Sequence, residues 1–198
     1  MAYITTPSEV AAEGAVRELY DADREQYGYV PNFTKVFSLR PEVYQAWAGL
    51  NGAIKSGMAL RTYELATLAA ARRRRSSYCC LAHGKVLRDK FFAPGALAQI
   101  ADDHHTADLD PVDVAVMDFA DRVAEAPTQV TADDIDALRD VGLSDRDIFD
   151  VVLATAARCF FSTVLDAVGA EADTQFRTSL EPELQAVLTV GRPIAATG

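Results

Sequence analysis

The sequence predicts an all-α protein, and three observations lead to that fold class. Apolar residues recur at helical spacing through most of the chain. Residues that cap helix N-termini, often followed by proline, precede most of these segments. Alternating strand patterns are nearly absent. With 198 residues, 49% of them hydrophobic and 24% charged, the chain is long enough for one well-buried core in a single domain, residues 1–198.

The N-terminal half of the predicted domain, residues 1–103, carries six helix signals. Thr6 offers an N-cap, Pro7 takes the first helical position, and Glu9 lies three residues after the cap. This first helix is expected to reach about Gly28, where a turn begins. Each later helix begins at a polar residue or a proline. These helices are expected at about 32–36, 41–55, 61–75, 76–90 and 94–103.

The C-terminal half, residues 109–180, follows a polar link and shows the same kind of signals. Three helix starts are marked by caps, namely Asp110-Pro111, Thr131 with Asp134, and Ser144 with Asp147. The second and third of these helices are expected to end near Val141 and Gly169. The prolines of the remaining tail predict one short helix followed by a frayed end.

Charge and cysteine content exclude several classes of function. A net charge of -10 argues against a broad nucleic-acid surface and against binding to anionic membranes. The first residues lack the basic start and apolar run of a secretion signal, and no apolar stretch is expected to span a bilayer. Three cysteines, an odd number, indicate a reducing compartment rather than a disulfide framework. We therefore expect a cytoplasmic protein.

An internal repeat relates two segments about eighty residues apart. Residues 60–83 align with residues 143–166 without a gap. Aligned pairs include Glu64 with Asp147, Ser76 with Cys159, Cys79 with Ser162, and His83 with Asp166. The alignment predicts a duplicated helical unit in which the first half carries the chemistry and the second half is scaffold.

The first of these segments concentrates reactive side chains. Ser76 or Ser77 is a natural N-cap, which puts Cys79 in the first turn of a helix, where the helix dipole favours a thiolate. His83 follows one turn later on the same face, within reach of the sulfur. Glu64 is on the preceding helix, and we expect the chain to fold back across the Ser76-Ser77 break and bring it to that histidine. In a known type of nucleophilic site, an acid orients a histidine, and the histidine activates a cysteine.

Two other clusters have ordinary structural explanations. Arg72–Arg75 is the only basic run, and at a helix C-terminus it complements the dipole and suits a solvated or inter-subunit face. His104 and His105 follow two aspartates, but adjacent ligands diverge on regular backbone. We therefore expect a solvated loop there and no metal, and no motif for an organic cofactor is present.

The spacing of the reactive residues resembles a known family. Glu64 is followed after eleven residues by Ser76, after two more by Cys79, and after three more by His83. This pattern resembles the alkylhydroperoxidase-D-like, or carboxymuconolactone decarboxylase, family, whose peroxidase members have a Cys-x-x-Cys pair between the glutamate and the histidine. Tyr78, just before the second cysteine position, is also a common feature of that family.

The resemblance extends over most of the chain and implies both a fold and an activity. It includes the turn at residues 28–32 and the segment 109–169. It implies an all-helical bundle with two similar halves, assembled as a homotrimer or homohexamer. It also implies thiol-dependent reduction of hydroperoxides. In that activity Cys79 attacks the peroxide and His83 and Glu64 form a proton relay.

The chain departs from the family pattern at one position, because Ser76 replaces the first cysteine. A serine cannot resolve a sulfenic acid, so the usual intramolecular disulfide cannot form. Three candidates remain for resolving Cys79: Cys80, which is strained as a direct neighbour; Cys159, which aligns with Ser76; and an external thiol, which we favour.

Two other functions stay open at this stage. A decarboxylase-like lyase would act on a small lactone acid without a redox cysteine pair, and Arg72–Arg75 would then bind its carboxylate. A degenerate member would serve as a non-enzymatic binding or redox-sensing oligomer.

Overall fold

A computed structural model describes residues 2–196 and confirms the all-α fold class. No strand forms in this part of the chain, and one isolated bridge joins Ala172 to Ile194. The helices are α1 Gly14–Tyr27, α2 Asn32–Phe37, α3 Pro41–Ser56, α4 Leu60–Arg73, α5 Ser77–Lys90, α6 Pro94–Asp102, α7 Pro111–Glu125, α8 Ala132–Asp140, α9 Asp145–Ala167, α10 Phe176–Ser179 and α11 Pro182–Leu188, with a 3₁₀ turn at Pro127–Gln129.

Helix α4 is the centre of the bundle. Its residues from Tyr63 to Ala71 are all buried, and it packs against α5, α7 and α9. A helix enclosed on every side needs apolar or small residues all round, which the sequence LATLAAA supplies. Glu64 is the exception on this helix, a carboxylate with no exposed surface. An ion buried this deeply needs partners of opposite charge or hydrogen-bond donors.

The chain reverses direction between α4 and α5 at a strained residue. Arg75 has a φ of 55°, in the left-handed region that non-glycine residues rarely occupy. The C-terminal segment covers this turn: Gly191 donates its backbone N–H to Ser77 Oγ at 2.8 Å. A Cβ on Gly191 would collide with the Arg75 carbonyl oxygen. The aligned segment in the second half has no such break, because α9 is one continuous helix.

Several predicted boundaries need correction. Helix α1 begins at Gly14, not Pro7, because Ser8 closes a turn with Ala11 and Tyr20 holds the Pro7 carbonyl. The tail forms two short helices, α10 and α11, where one was predicted. The capping boxes predicted at Thr131 and Ser144 are confirmed, each with its aspartate.

Helix α9 also corrects the expectation that no segment could span a bilayer. By length and composition alone, Asp145–Ala167 is apolar enough to do so, and 56% of its most apolar window is buried within the protein. It packs against α3, α4, α5, α7 and α8. These contacts make α9 a core helix of the bundle.

Candidate active site

A buried carboxylate and an imidazole form the first part of the site. Glu64 Oε2 lies 2.5 Å from His83 Nδ1, which connects α4 to α5. Lys55, near the end of α3, donates from Nζ to the other oxygen, Glu64 Oε1, at 2.9 Å. The contact between Glu64 and His83 is the one that their spacing in sequence led us to expect. Lys55 was not predicted, since nothing in its local sequence separates it from a solvated lysine.

The protonation states of this pair follow from its surroundings. Burial raises the pKa of Glu64, but the charge and hydrogen bond of His83 and those of Lys55 outweigh burial and lower that pKa to about 2. Burial and the positive charge of Arg158 lower the pKa of His83 more than Glu64 raises it. At neutral pH the pair is therefore a carboxylate and a neutral imidazole. Nδ1–H donates to Glu64, so Nε2 is left as the basic nitrogen.

The sulfur of Cys79 is surrounded by groups from α9. Ser162 Oγ donates to Cys79 Sγ at 3.2 Å, and Arg158 Nη1 donates to the same sulfur at 3.5 Å. Cys79 is only 2% exposed. It also occupies the third position of α5, whose N-cap is Ser76, so it lies at the positive end of the helix. No hydrogen bond joins it to His83 within residues 2–196, so direct proton exchange between them stays a prediction.

Arg158 is the most unusual group in the site. It is 4% exposed, and within the described chain no carboxylate lies within ion-pairing distance of its guanidinium. The guanidinium lies 5.3 Å from the centre of the Phe161 ring. Burial works to lower its pKa, but Cys79 and Tyr63 outweigh burial and raise it. A buried cation without an anion is costly, and the acidic groups beside this one are the Cys79 thiol and the Tyr63 hydroxyl.

Sequence reasoning missed Arg158 and gave Ser162 only a scaffold role. Ser162 aligns with Cys79 itself in the internal repeat, and the two meet through their side chains. Arg158 aligns with Arg75, which is exposed. An arginine in the middle of the apolar helix α9 was a signal that could have found it, because such a residue is rarely buried without a role.

Two supporting residues take structural positions. Tyr78 donates its hydroxyl to Asp173 and accepts from the Phe33 backbone N–H, so it connects α5 to the start of α2. Ser76 is buried at the N-cap position, yet its hydroxyl does not cap α5. The expected N-cap position of Ser76 is therefore confirmed, but neither serine caps the helix through its side chain, since Ser77 Oγ binds Gly191 instead.

The two other cysteines remain free thiols. Cys80 is fully buried, and burial raises its pKa far above the usual thiol range. Burial also raises the pKa of the partly exposed Cys159. All three cysteines of the chain are unpaired.

Two arginines of the basic run Arg72–Arg75 form ion pairs or hydrogen bonds within the protein. Arg73 pairs with Asp121 and Glu125 of α7, and Arg72 donates to the Val187 carbonyl. Arg73 and Arg72 therefore already have partners, which weakens the idea that they bind a substrate carboxylate.

Comparisons with known proteins identify the fold. No family model matches the sequence, and no curated protein matches it. Among solved structures, a peroxidase-related protein with an alkylhydroperoxidase AhpD core from Ralstonia eutropha matches with a TM-score of 0.79 and 26% identity, over 88% of this chain and 94% of that one. A peroxidase-related protein from a Silicibacter species gives 0.75 and 21%, over 86% and 93%.

A third neighbour shows that the fold carries other chemistry. The debrominase Bmp8, as a cysteine-to-alanine variant in complex with 2,3,4-tribromopyrrole, matches with a TM-score of 0.74 and 14% identity, over 90% of this chain and 97% of that one. Together the comparisons establish an alkylhydroperoxidase AhpD-like fold, and the Ralstonia eutropha protein, at 26% identity, supports membership of that superfamily.

Proposed function

We propose that the protein is a thiol-dependent oxidoreductase that reduces hydroperoxides through Cys79. One observation carries the proposal: the sulfur lies beside Arg158, a buried cation for which the described chain offers no carboxylate. Such a cation stabilises the thiolate, and the thiolate is the nucleophilic form of cysteine. The AhpD-like fold and its peroxidase-related neighbours support the same chemistry.

The first step is loss of the thiol proton. His83 lies four residues after Cys79 on α5, with Glu64 holding Nδ1, so Nε2 is the atom that accepts the proton. The resulting thiolate then attacks the terminal oxygen of ROOH. The O–O bond breaks, the sulfur becomes a sulfenic acid, and the alkoxide takes the proton from His83 and leaves as ROH.

The sulfenic acid is reduced by an external thiol in this proposal. One thiol forms a mixed disulfide with Cys79 and releases water. A second thiol then attacks the sulfur of the first, which forms a disulfide between the two reductant thiols and releases Cys79 as the reduced thiol. Cys80 is fully buried and Cys159 carries a raised pKa, so neither is a ready thiolate. A thiol reductant also suits the cytoplasmic location that the cysteine content predicts.

The test compares two serine substitutions. Cys79→Ser should abolish peroxide consumption with an added dithiol, whereas Cys159→Ser, which removes a less buried thiol from α9, should leave it within about twofold. A trapping reagent for sulfenic acids should label wild-type protein and not Cys79→Ser. Unchanged turnover in Cys79→Ser would refute the proposal.

Restoring the missing cysteine tests the external resolution step. Ser76→Cys should form an intramolecular disulfide with Cys79 after one equivalent of peroxide, detected as loss of free thiols. Turnover with a dithiol should rise several-fold, since an internal thiol has a high effective concentration. Ser77→Cys is the matched control, because its side chain points to Gly191. If the turnover rate of Ser76→Cys depended on reductant concentration as the wild-type rate does, resolution of the Cys79 sulfenic acid would not be the rate-limiting step.

A second candidate function is favoured by the same arginine. A buried guanidinium without a carboxylate partner, close to a basic histidine, would also bind the carboxylate of a small lactone acid. In that lyase, Cys79 would be dispensable and Arg158 would not. Turnover of lactone acids that survives both thiol alkylation and Cys79→Ser would favour the lyase.

We also propose a homo-oligomer. A groove of about 450 Å³ between α3 and α9 has an apolar lining that includes Trp47, Leu50 and Phe160. Leu50 is 56% and Phe160 43% exposed, and a second copy of the chain would cover them. Phe160→Asp should reduce the mass measured by light scattering, and an unchanged mass would argue against this face.

A further inference from the structure

A cluster of two histidines and two aspartates lies apart from the thiol site. His104 and His105 are in the turn after α6, and Asp118 is on α7. His104 Nε2 and His105 Nε2 both lie 2.8 Å from the same oxygen, Asp118 Oδ1. Their ring centres are 4.1 Å apart. Three potential metal ligands from two elements therefore converge on one point.

The turn explains why neighbouring histidines converge here. On regular backbone the two rings would diverge, which is why the sequence favoured a solvated loop. Residues 104–106 form an irregular turn instead, and Asp103 Oδ1 accepts the His105 backbone N–H at 3.0 Å. That hydrogen bond fixes the backbone of His105 within the turn. The ligand atoms of Asp103, His104 and His105 lie within 4.8 Å of one another.

His105 has a carboxylate at each ring nitrogen. Its Nδ1 lies 3.1 Å from Asp103 Oδ1 and its Nε2 2.8 Å from Asp118 Oδ1. A histidine that binds a metal through one ring nitrogen usually donates its other N–H to a carboxylate. Asp103 takes that position behind Nδ1, so Nε2 is the nitrogen left for an ion shared with Asp118.

From this geometry we propose that His104, His105 and Asp118 bind a divalent transition metal such as Zn²⁺, with Asp103 orienting His105. Two imidazoles and a carboxylate are ligands that Zn²⁺ prefers, whereas Mg²⁺ and Ca²⁺ prefer oxygen alone. Tetrahedral zinc ligands are roughly 3.3 Å apart, so the present 2.8 Å contacts need to widen by about 0.5 Å. His105 is 57% and Asp118 48% exposed, which admits the ion and leaves room for water as the fourth ligand.

The test is isothermal titration calorimetry, in which Zn²⁺ is added to metal-free full-length protein in the presence of excess Mg²⁺. We expect one equivalent to bind. Asp118→Asn and His105→Gln should each weaken binding at least tenfold, and Asp103→Asn about tenfold through loss of orientation. Asp102→Asn is the matched control, since it removes a neighbouring carboxylate that contacts neither histidine, and it should change affinity less than twofold. Circular dichroism would confirm that each variant is folded.

Three outcomes would overturn the site. Asp118→Asn could bind Zn²⁺ as tightly as wild type. Asp102→Asn could weaken binding as much as Asp118→Asn, which would mean general attraction to negative charge. Co²⁺ in place of Zn²⁺ could show the strong absorption of thiolate ligation, which would assign the metal to the cysteines. The cluster shares no residue with the thiol site, so the first two results do not bear on the peroxidase proposal.

Discussion

The two aligned segments, residues 60–83 and 143–166, have different shapes and meet at one sulfur atom. The first is broken by the strained Arg75 into α4 and α5, and the break creates the helix N-terminus at which Cys79 lies. The second is unbroken, so its aligned residue, Ser162, lies in the middle of α9 and donates its hydroxyl to Cys79.

The comparison explains why similar sequences take different roles. A helix start provides unpaired backbone N–H groups, which favour an anion. The interior of a helix has no unpaired backbone N–H groups, so it contributes only side chains. The scaffold half is therefore part of the proposed active site, because it supplies both Ser162 and Arg158 to the thiol. Two aligned pairs, Glu64 with Asp147 and Arg158 with Arg75, provide matched controls for the predictions.

The largest effect is expected from the aligned acids Glu64 and Asp147. Glu64→Gln should lower the rate of peroxide reduction about 100-fold, because a neutral amide no longer fixes His83 as a base. Asp147→Asn should leave the rate unchanged and cost about 1 kcal/mol of stability, because Asp147 belongs to the capping box of α9. Stopped-flow kinetics and urea unfolding measure the two effects. Equal rate losses would mean that the halves are functionally alike.

The same acid predicts how stability depends on pH. The pKa of Glu64 is lowered from 4.5 to about 2 in the folded protein, so its stabilising effect is fully present above pH 4.5 and is lost as the pH falls toward 2. That effect is worth up to about 3 kcal/mol. The difference in urea midpoint between wild type and Glu64→Gln should therefore narrow below pH 4.5. If the difference in urea midpoint stayed constant as the pH falls, His83 and Lys55 would not stabilise the Glu64 carboxylate.

The fold and half of the site could be predicted from sequence. Capping residues and helical periodicity are local, so they located most helices, and the spacing from Glu64 to His83 placed two side chains that do meet. Arg158 lies 79 residues from Cys79 in sequence, and only tertiary packing joins them. The start of α1 was misplaced for a similar reason: a tyrosine thirteen residues away holds Pro7 in a non-helical segment.

The next effect concerns the aligned arginines Arg158 and Arg75. Arg158→Met should slow alkylation of Cys79 by iodoacetamide about 10- to 100-fold at neutral pH, the cost of losing a charge-assisted hydrogen bond of about 1.5–3 kcal/mol. Arg75→Met, at the exposed position in the first segment, should change the rate less than twofold. Mass spectrometry of the labelled Cys79 peptide measures both rates.

A double-mutant cycle separates the charge of Arg158 from its packing. In the Cys79→Ser background the guanidinium has lost the acidic thiol and keeps the Tyr63 hydroxyl as its acidic neighbour, so Arg158→Met should then be neutral or stabilising in urea unfolding. In the wild-type background the same change should be destabilising. Equal effects in the two backgrounds would mean that Arg158 and Cys79 are not coupled.

The smallest effect tests the pair that aligns across the repeat, Cys79 and Ser162. Ser162→Ala removes one hydroxyl hydrogen bond to the sulfur and leaves Arg158 in place, so the rate of peroxide reduction should fall only two- to five-fold, matching about 0.5–1 kcal/mol. Thr155→Val is the control, since it removes a buried hydroxyl of the same helix that has no hydrogen-bond partner. Both variants should also be compared in the same peroxide-reduction assay. A larger loss of rate in Ser162→Ala than in Arg158→Met would mean that the thiolate depends on the serine hydroxyl more than on the cation.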